Sequence, residues 1–186
     1  KLRSIAAACI SARDRFSNVL YVDGFDSVFT GGLSKIEEEF ENTESQMVVS
    51  GSSLFFPKLA DERRFPMAES GSPFRFPCPG VFIANIGHFL RIASSFGLCE
   101  SRGPFLDGEW FQHVAMALPS AFSVDTDGKL FTTLSGSSND SYTIANGLLS
   151  ISSSQRCPLI VHGGSKFDFG SALSDLGYEN VERSAD

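Results

Sequence analysis

The chain lacks any apolar run approaching the roughly 20 residues that a membrane-spanning helix requires, and no signal-peptide pattern opens it. It also lacks a surplus of cations. Lys and Arg number 15 against 22 Asp and Glu, giving a net charge of -7. That balance argues against a broad phosphate-backbone footprint and against nucleic acid as a partner. Cysteine is sparse: Cys9, Cys78, Cys99 and Cys157 are scattered with no C-x-x-C spacing, which argues against a zinc site and supplies no disulfide framework. No G-x-S-x-G elbow is present, and His88 and His113 sit in helical segments, so a serine hydrolase is disfavoured. There is no internal repeat. The first residue is Lys1 rather than Met, so the chain is read as a piece of a longer one, and the missing targeting signal says nothing about compartment.

What is present fits one globular domain. At 186 residues, with 42% hydrophobic and 20% charged content, the chain can bury a core. Leu2, Ile5, Ala6, Cys9 and Ile10 recur at helical spacing and predict an amphipathic helix over 2–14, feeding a strand over 18–23. The run Val-Leu-Tyr-Val predicts the interior of a parallel sheet covered on both faces. Ser34 and Glu37 form a capping-box pattern for a helix ending near 41. Further strands are predicted over 46–51 and 80–85, separated by a long loop over 55–79, with a helix over 87–96. Asp107 is placed to cap a helix carrying Trp110, Phe111, Val114 and Leu118. Asp127-Gly128 predicts a hairpin within 121–134, and the Ser/Asn/Gly-rich segment 135–154, with a sequon at Asn139, reads as weakly structured. A last strand runs into His162-Gly163-Gly164, and the chain turns polar from 167. The expectation is an α/β domain over 1–166 with a mixed sheet flanked by helices, and a tail over 167–186.

Chemistry gathers at two strand ends. Asp23 and Asp26 follow a buried strand, where functional groups of such sheets collect. Residues three apart on a regular strand face opposite sides, so these acids converge only if the chain turns at Gly24. Two hard oxygen ligands on a turn suit Mg²⁺ or Mn²⁺; the alternative is a plain turn in which either acid accepts backbone N–H groups. His162 also follows an apolar strand. Gly163 and Gly164 behind it leave backbone N–H groups for an anion, with Lys166 close in sequence. Asp107 and Glu109, at a helix start, either orient or deprotonate an acceptor hydroxyl or simply cap the helix. A haloacid-dehalogenase-type phosphatase needs its second acid two residues after the first, and position 25 is Phe.

The motifs YVDGFDSVF, MVVSGSSLFFP, PGVFIAN, LDGEWF and LIVHGGSK, in that order, resemble the glycosyltransferase domain of procollagen lysyl hydroxylases over residues 1 to about 166. The resemblance implies a GT-A-type, Rossmann-like fold that transfers a hexose from a UDP-sugar to a hydroxyl acceptor, possessing a Mn²⁺ site, in the secretory pathway. It implies that Asp23, Asp26 and His162 are the metal ligands and that Phe25 stacks on uracil where relatives carry Tyr. Lys1 falls where the family places a lysine that reaches the phosphates, with Gly163, Gly164 and Lys166 beside them. Asp107 falls on the first acid of an Asp-Asp-Gln-like motif near the acceptor. The pattern also departs: Ser50-Gly51-Ser52 replaces Ser-Ala-Glu, Cys78-Pro79-Gly80-Val81 replaces Asn-Ser-Gly-Gly, Gly108 replaces the second acid, and Gly164 replaces the Asn of His-Gly-Asn. Such domains open with a βα segment, and this chain starts at the following helix, which predicts an exposed sheet edge and half a nucleotide pocket. A degenerate, noncatalytic binding module of the same fold is the alternative.

Overall fold

Both faces of one curled, mixed sheet are covered by helices in a computed structural model of the chain. It describes residues 1–57, 62–65, 68, 70–98, 106–136, 140–164, 167 and 173–178. The elements in chain order are α1 (Leu2–Ala12), β1 (Asn18–Val22), β2 (Ser27–Phe29), α2 (Leu33–Glu41) and β3 (Met47–Ser52). There follow β4 (Phe76–Asn85), α3 (Ile86–Ser95), α4 (Asp107–Ala117), β5 (Ser123–Asp125) and β6 (Phe131–Leu134), then β7 (Tyr142–Ala145), β8 (Leu148–Ile151) and β9 (Ile160–Gly163).

Period-two alternation partitions the core. Val19 and Tyr21 of β1, Met47 and Val49 of β3, and Phe82 and Ala84 of β4 meet α1, α3 and α4 on one face. Leu20, Val22, Val48, Val81 and Ile83 meet α2 through Ile36 and Phe40 on the other. Coverage of both faces explains the continuous apolar run of β1, yet that strand is not interior to a parallel sheet. It stands at one end of the order β1-β4-β3-β6-β9-β2 and pairs antiparallel with β4. The run records covered faces, and its position along the sheet leaves no trace in it.

Because β1 and β3 both oppose β4, and β6 and β9 run parallel to β3, the carboxyl ends of β1, β3, β6 and β9 lie together. Only Asp23 to Asp26 connects β1 to β2, which lie at opposite ends of the six-strand order. A flat path of that order is about 24 Å wide, whereas the connection reaches at most about 17 Å. The sheet must therefore curl until its two edges approach each other at that end.

Several local expectations change. The helix α2 begins at Gly32 with no side-chain cap, so the Ser34–Glu37 box does not form and Ser34 lies inside the first turn. The strand β4 begins at Phe76, taking Pro77 and Pro79 out of the expected loop, and a short 3₁₀ turn occupies Glu62–Arg64. The 121–134 hairpin is absent. Strands β5 and β6 both pair parallel with β3, because Asp125 gathers the N–H groups of Lys129, Leu130 and Phe131 and the chain resumes its former direction. The real hairpin is β7–β8 inside the segment expected to be weakly structured. Its turn is Asn146-Gly147, both at positive φ (53° and 73°), the geometry that two-residue hairpins favour. Leu149 and Ile151 from β8 join Phe74, Leu134, Val161 and Leu176 in a third cluster, with Phe167 and Leu173 packed against it.

Candidate functional site

The four residues between β1 and β2 bring both expected acids to the end of β9. Asp23 is pinned by its own N–H, which donates to the Gly80 carbonyl at 2.8 Å. Three residues on, the Asp26 carbonyl accepts the Gly163 N–H at 2.6 Å. The turn does pass through Gly24, but without the left-handed conformation that would demand glycine. Oxygens of Asp23 and Asp26 and a nitrogen of His162 all lie within 4.8 Å of one another. His162 Nε2 is 3.4 Å from Asp26 Oδ1 and 3.7 Å from Asp23 Oδ2.

Burial makes that nitrogen informative. His162 is only 5% exposed, and its Nε2 has no hydrogen-bond partner among the described residues. Its Nδ1 sits 3.2 Å from Thr133 Oγ1 and 3.7 Å from Cys78 Sγ. Desolvation works to lower the imidazole pKa, but Cys78 together with Asp26 and Asp23 outweighs it and holds the group above its ordinary value. An orphaned buried nitrogen facing two carboxylates is a set that a divalent cation would complete, and two oxygens with one imidazole suit Mn²⁺.

Lys1 lies against Asp23 and Asp107. Its Nζ is 2.8 Å from Asp23 Oδ2 and 3.6 Å from Asp107 Oδ2, and it stands over the Tyr21 ring at 5.0 Å. Burial alone would lower the Lys1 pKa, but the Asp23 hydrogen bond and surrounding charge raise it. Tyr21 donates its hydroxyl to Asp23, and burial followed by that bond pushes the phenol up to about 12. The site opens into a cavity of about 310 Å³ lined on its polar side by Lys1, Asp23, Asp107, Thr133 and His162. Leu54, Phe56, Pro57, Pro77 and Leu106 form its apolar side.

The other residues expected at the site divide. Phe25 projects fully into solvent beside the acids. Asp107 lines the cavity, but it is the first residue of α4, and Leu106 occupies the cap position. Glu109 turns back to that helix start, where its Oε2 accepts the Leu106 N–H at 3.3 Å, so its capping alternative is the one realised. The expected free anion donors at Gly163 and Gly164 are not free. Gly163 donates to Asp26 and Gly164 to the Leu134 carbonyl, both at 2.6 Å, because β9 is clasped between β2 and β6. Lys166 and Asn139 lie outside the described residues.

Four contributors were missed from sequence: Tyr21, Cys78, Gly80 and Thr133. Tyr21 carried a usable signal, since it is two residues before Asp23 on the same strand face. The others come from distant strands and show only in three dimensions. Gly108 packs against the neighbouring loop: a Cβ there would meet Pro57 Cδ at 2.8 Å.

The family model described as the PLOD GT domain matches residues 2–174. Procollagen-lysine,2-oxoglutarate 5-dioxygenase 1 of Bos taurus is 27% identical over 78 residues, which cover 42% of this chain. The matched stretch spans 10% of that relative's length. With the mixed, helix-flanked sheet and the strand-end cluster in place, the match over nearly the whole chain shows that this protein belongs to the PLOD GT domain family, a family of GT-A-like glycosyltransferase domains.

Proposed function

We propose that this domain transfers a hexose from a UDP-sugar to a hydroxyl acceptor and depends on Mn²⁺ or Mg²⁺. The observation that carries this reading is the buried Nε2 of His162, without a hydrogen-bond partner among the described residues, facing Asp23 and Asp26 beside the cavity. Asp23, Asp26 and His162 would hold the cation, which when bound supplies Lewis-acid neutralisation of the diphosphate charge. Lys1 adds a fixed positive charge to the same phosphates as they take up the charge of the leaving group. Phe25 offers its exposed ring to the uracil. Gly164 lines the cavity without a side chain, so a ligand can come close to the backbone there. Asp107 orients the acceptor hydroxyl and receives its proton as oxygen attacks the anomeric carbon and the bond to the phosphate oxygen breaks. Leu54, Phe56 and Leu106 restrict water at the cavity mouth.

A noncatalytic binding module is the second reading, favoured by one observation: Asp107 already shares Lys1 with Asp23 at 3.6 Å, and Gly108 adds no second acid beside it. Calorimetric titration of UDP in the presence of Mn²⁺ and of EDTA tests the donor site. Binding with Mn²⁺ alone is expected; equal binding in both, or none in either, sinks the metal-dependent reading. A panel of UDP-sugars then separates turnover from mere binding. Phe25→Ala is expected to weaken UDP about tenfold, in keeping with about 1–3 kcal/mol for a base stacked on an aromatic ring. Its melting temperature is expected to be unchanged, since the ring is fully exposed. Unaltered UDP affinity would remove Phe25 from the nucleotide site.

A further inference from the structure

Behind His162 lies a short line of buried hydroxyls. Thr133 Oγ1 is 3.2 Å from His162 Nδ1 and 2.8 Å from Ser50 Oγ, and Ser50 and Thr133 are 0% and 2% exposed. Ser50, Thr133 and His162 lie in the carboxyl-terminal halves of β3, β6 and β9, and Thr133 is registered directly against His162. Strand pairing thus fixes the relative positions of all three groups.

The imidazole has two neutral tautomers, and only one presents a lone pair to a cation at Nε2. Which one forms is set by the hydrogen bond at the other nitrogen. Thr133 Oγ1 can accept from Nδ1–H while donating its own proton to Ser50 Oγ. The opposite polarity, with Ser50 donating to Thr133 and Thr133 to Nδ1, would put the hydrogen on Nε2. There it would face Asp26 Oδ1 at 3.4 Å and Asp23 Oδ2 at 3.7 Å without hydrogen-bonding geometry to either, and it would block the position from which Nε2 can meet a cation. Cys78 Sγ also faces Nδ1, but at 3.7 Å and with the weaker capacity of sulfur.

We infer that Thr133, backed by Ser50, is a positioning residue that holds the His162 proton on Nδ1 and leaves Nε2 as a ready ligand. The proposal rests on the reading of His162 as a metal ligand for its purpose, but its mechanism belongs to the metal-free chain. The hydroxyl line makes the ligand tautomer part of the resting fold, so binding need not move a proton between the ring nitrogens.

Long-range ¹H–¹⁵N spectra of the metal-free chain at alkaline pH read the tautomer directly. The intact chain is expected to show Nδ1–H; Thr133→Val to shift His162 toward Nε2–H; Thr133→Ser to restore Nδ1–H. Cys78→Ala is expected to leave the tautomer where it was. Valine keeps the β-branched shape of threonine in the strand, and the serine variant separates loss of the hydroxyl from loss of packing. An Nε2–H tautomer in the intact chain overturns the inference, as does a Thr133→Val chain that retains Nδ1–H or a Cys78→Ala chain that alone loses it. Affinity for Mn²⁺ alone is expected to fall about 10–100-fold in Thr133→Val and to recover in Thr133→Ser. If the tautomer responds as expected while the intact chain binds no Mn²⁺, the positioning stands and the metal reading fails. If Mn²⁺ binds equally well to both chains despite a changed tautomer, the proposed purpose of the line is overturned.

Discussion

Adding one methyl group at Gly80 is expected to disable the site from across the sheet. A Cβ on Gly80 would stand 2.2 Å from His162 Cε1, 2.3 Å from Nε2 and 2.6 Å from Nδ1, inside the thickness of the ring. Neither side yields cheaply. The Gly80 carbonyl is held by the Asp23 N–H at 2.8 Å, and the imidazole is buried with Thr133 at 3.2 Å. In Gly80→Ala the ring leaves its position, and Nε2 no longer faces the carboxylates. Loss of a ligand is expected to weaken Mn²⁺ at least about 100-fold, beyond the 10–100-fold typical of losing a ligand's supporting partner. The overpacking itself costs about 1–3 kcal/mol. Gly24→Ala is the control, because nothing lies within 4 Å of a Cβ there and its backbone is ordinary. Calorimetry with Mn²⁺ and urea unfolding of both variants separate the effects. A Gly80→Ala chain that binds Mn²⁺ like the parent would mean that His162 is not a ligand.

That glycine also marks where sequence reading stops. Asp23, Asp26 and His162 were legible because acids and imidazole after apolar runs are unusual and strand ends are where α/β sheets expose them, and Asp107 stood out as an acid at a helix start. The residues that pack against them are small or weakly polar, and their meaning depends on a partner dozens of positions away: Gly80 and Thr133 are 82 and 29 residues from His162. Local bonding has first claim on other polar groups expected at the site. Glu109 is taken by its own helix start, and the N–H groups of Gly163 and Gly164 are taken by neighbouring strands. Hairpin prediction failed by a similar competition. Asp127-Gly128 and Asn146-Gly147 carry equivalent turn signals, and only the second closes a hairpin. In the first, β5 and β6 each find β3 as a partner, so the turn becomes an excursion from one line of pairing.

Asp125 holds that excursion closed, and Asp125→Ala is expected to cost about 3–5 kcal/mol of folding stability. Its carboxylate is 8% exposed and accepts N–H groups from Lys129, Leu130 and Phe131 at 2.9, 2.6 and 2.8 Å. Leu130 and Phe131 are core residues at 1% and 0% exposure, so alanine leaves buried donors unpaired at about 1–3 kcal/mol each. Asp125→Asn keeps one acceptor oxygen and is expected to lose about half as much. Burial pushes the Asp125 carboxyl above its ordinary range, and the three N–H donors pull against that without reversing it. Folded protein then binds more protons here than unfolded protein between the two pKa values, so this contribution to stability declines as pH rises through that window. Asp125→Asn removes that slope. Urea midpoints at two pH values, with unchanged denaturant slopes, measure both effects. A loss under about 0.5 kcal/mol in Asp125→Ala would show that other contacts close the excursion. If the expected loss is found, metal affinity should fall with it, because β6 follows directly from these three N–H groups and carries Thr133 to His162.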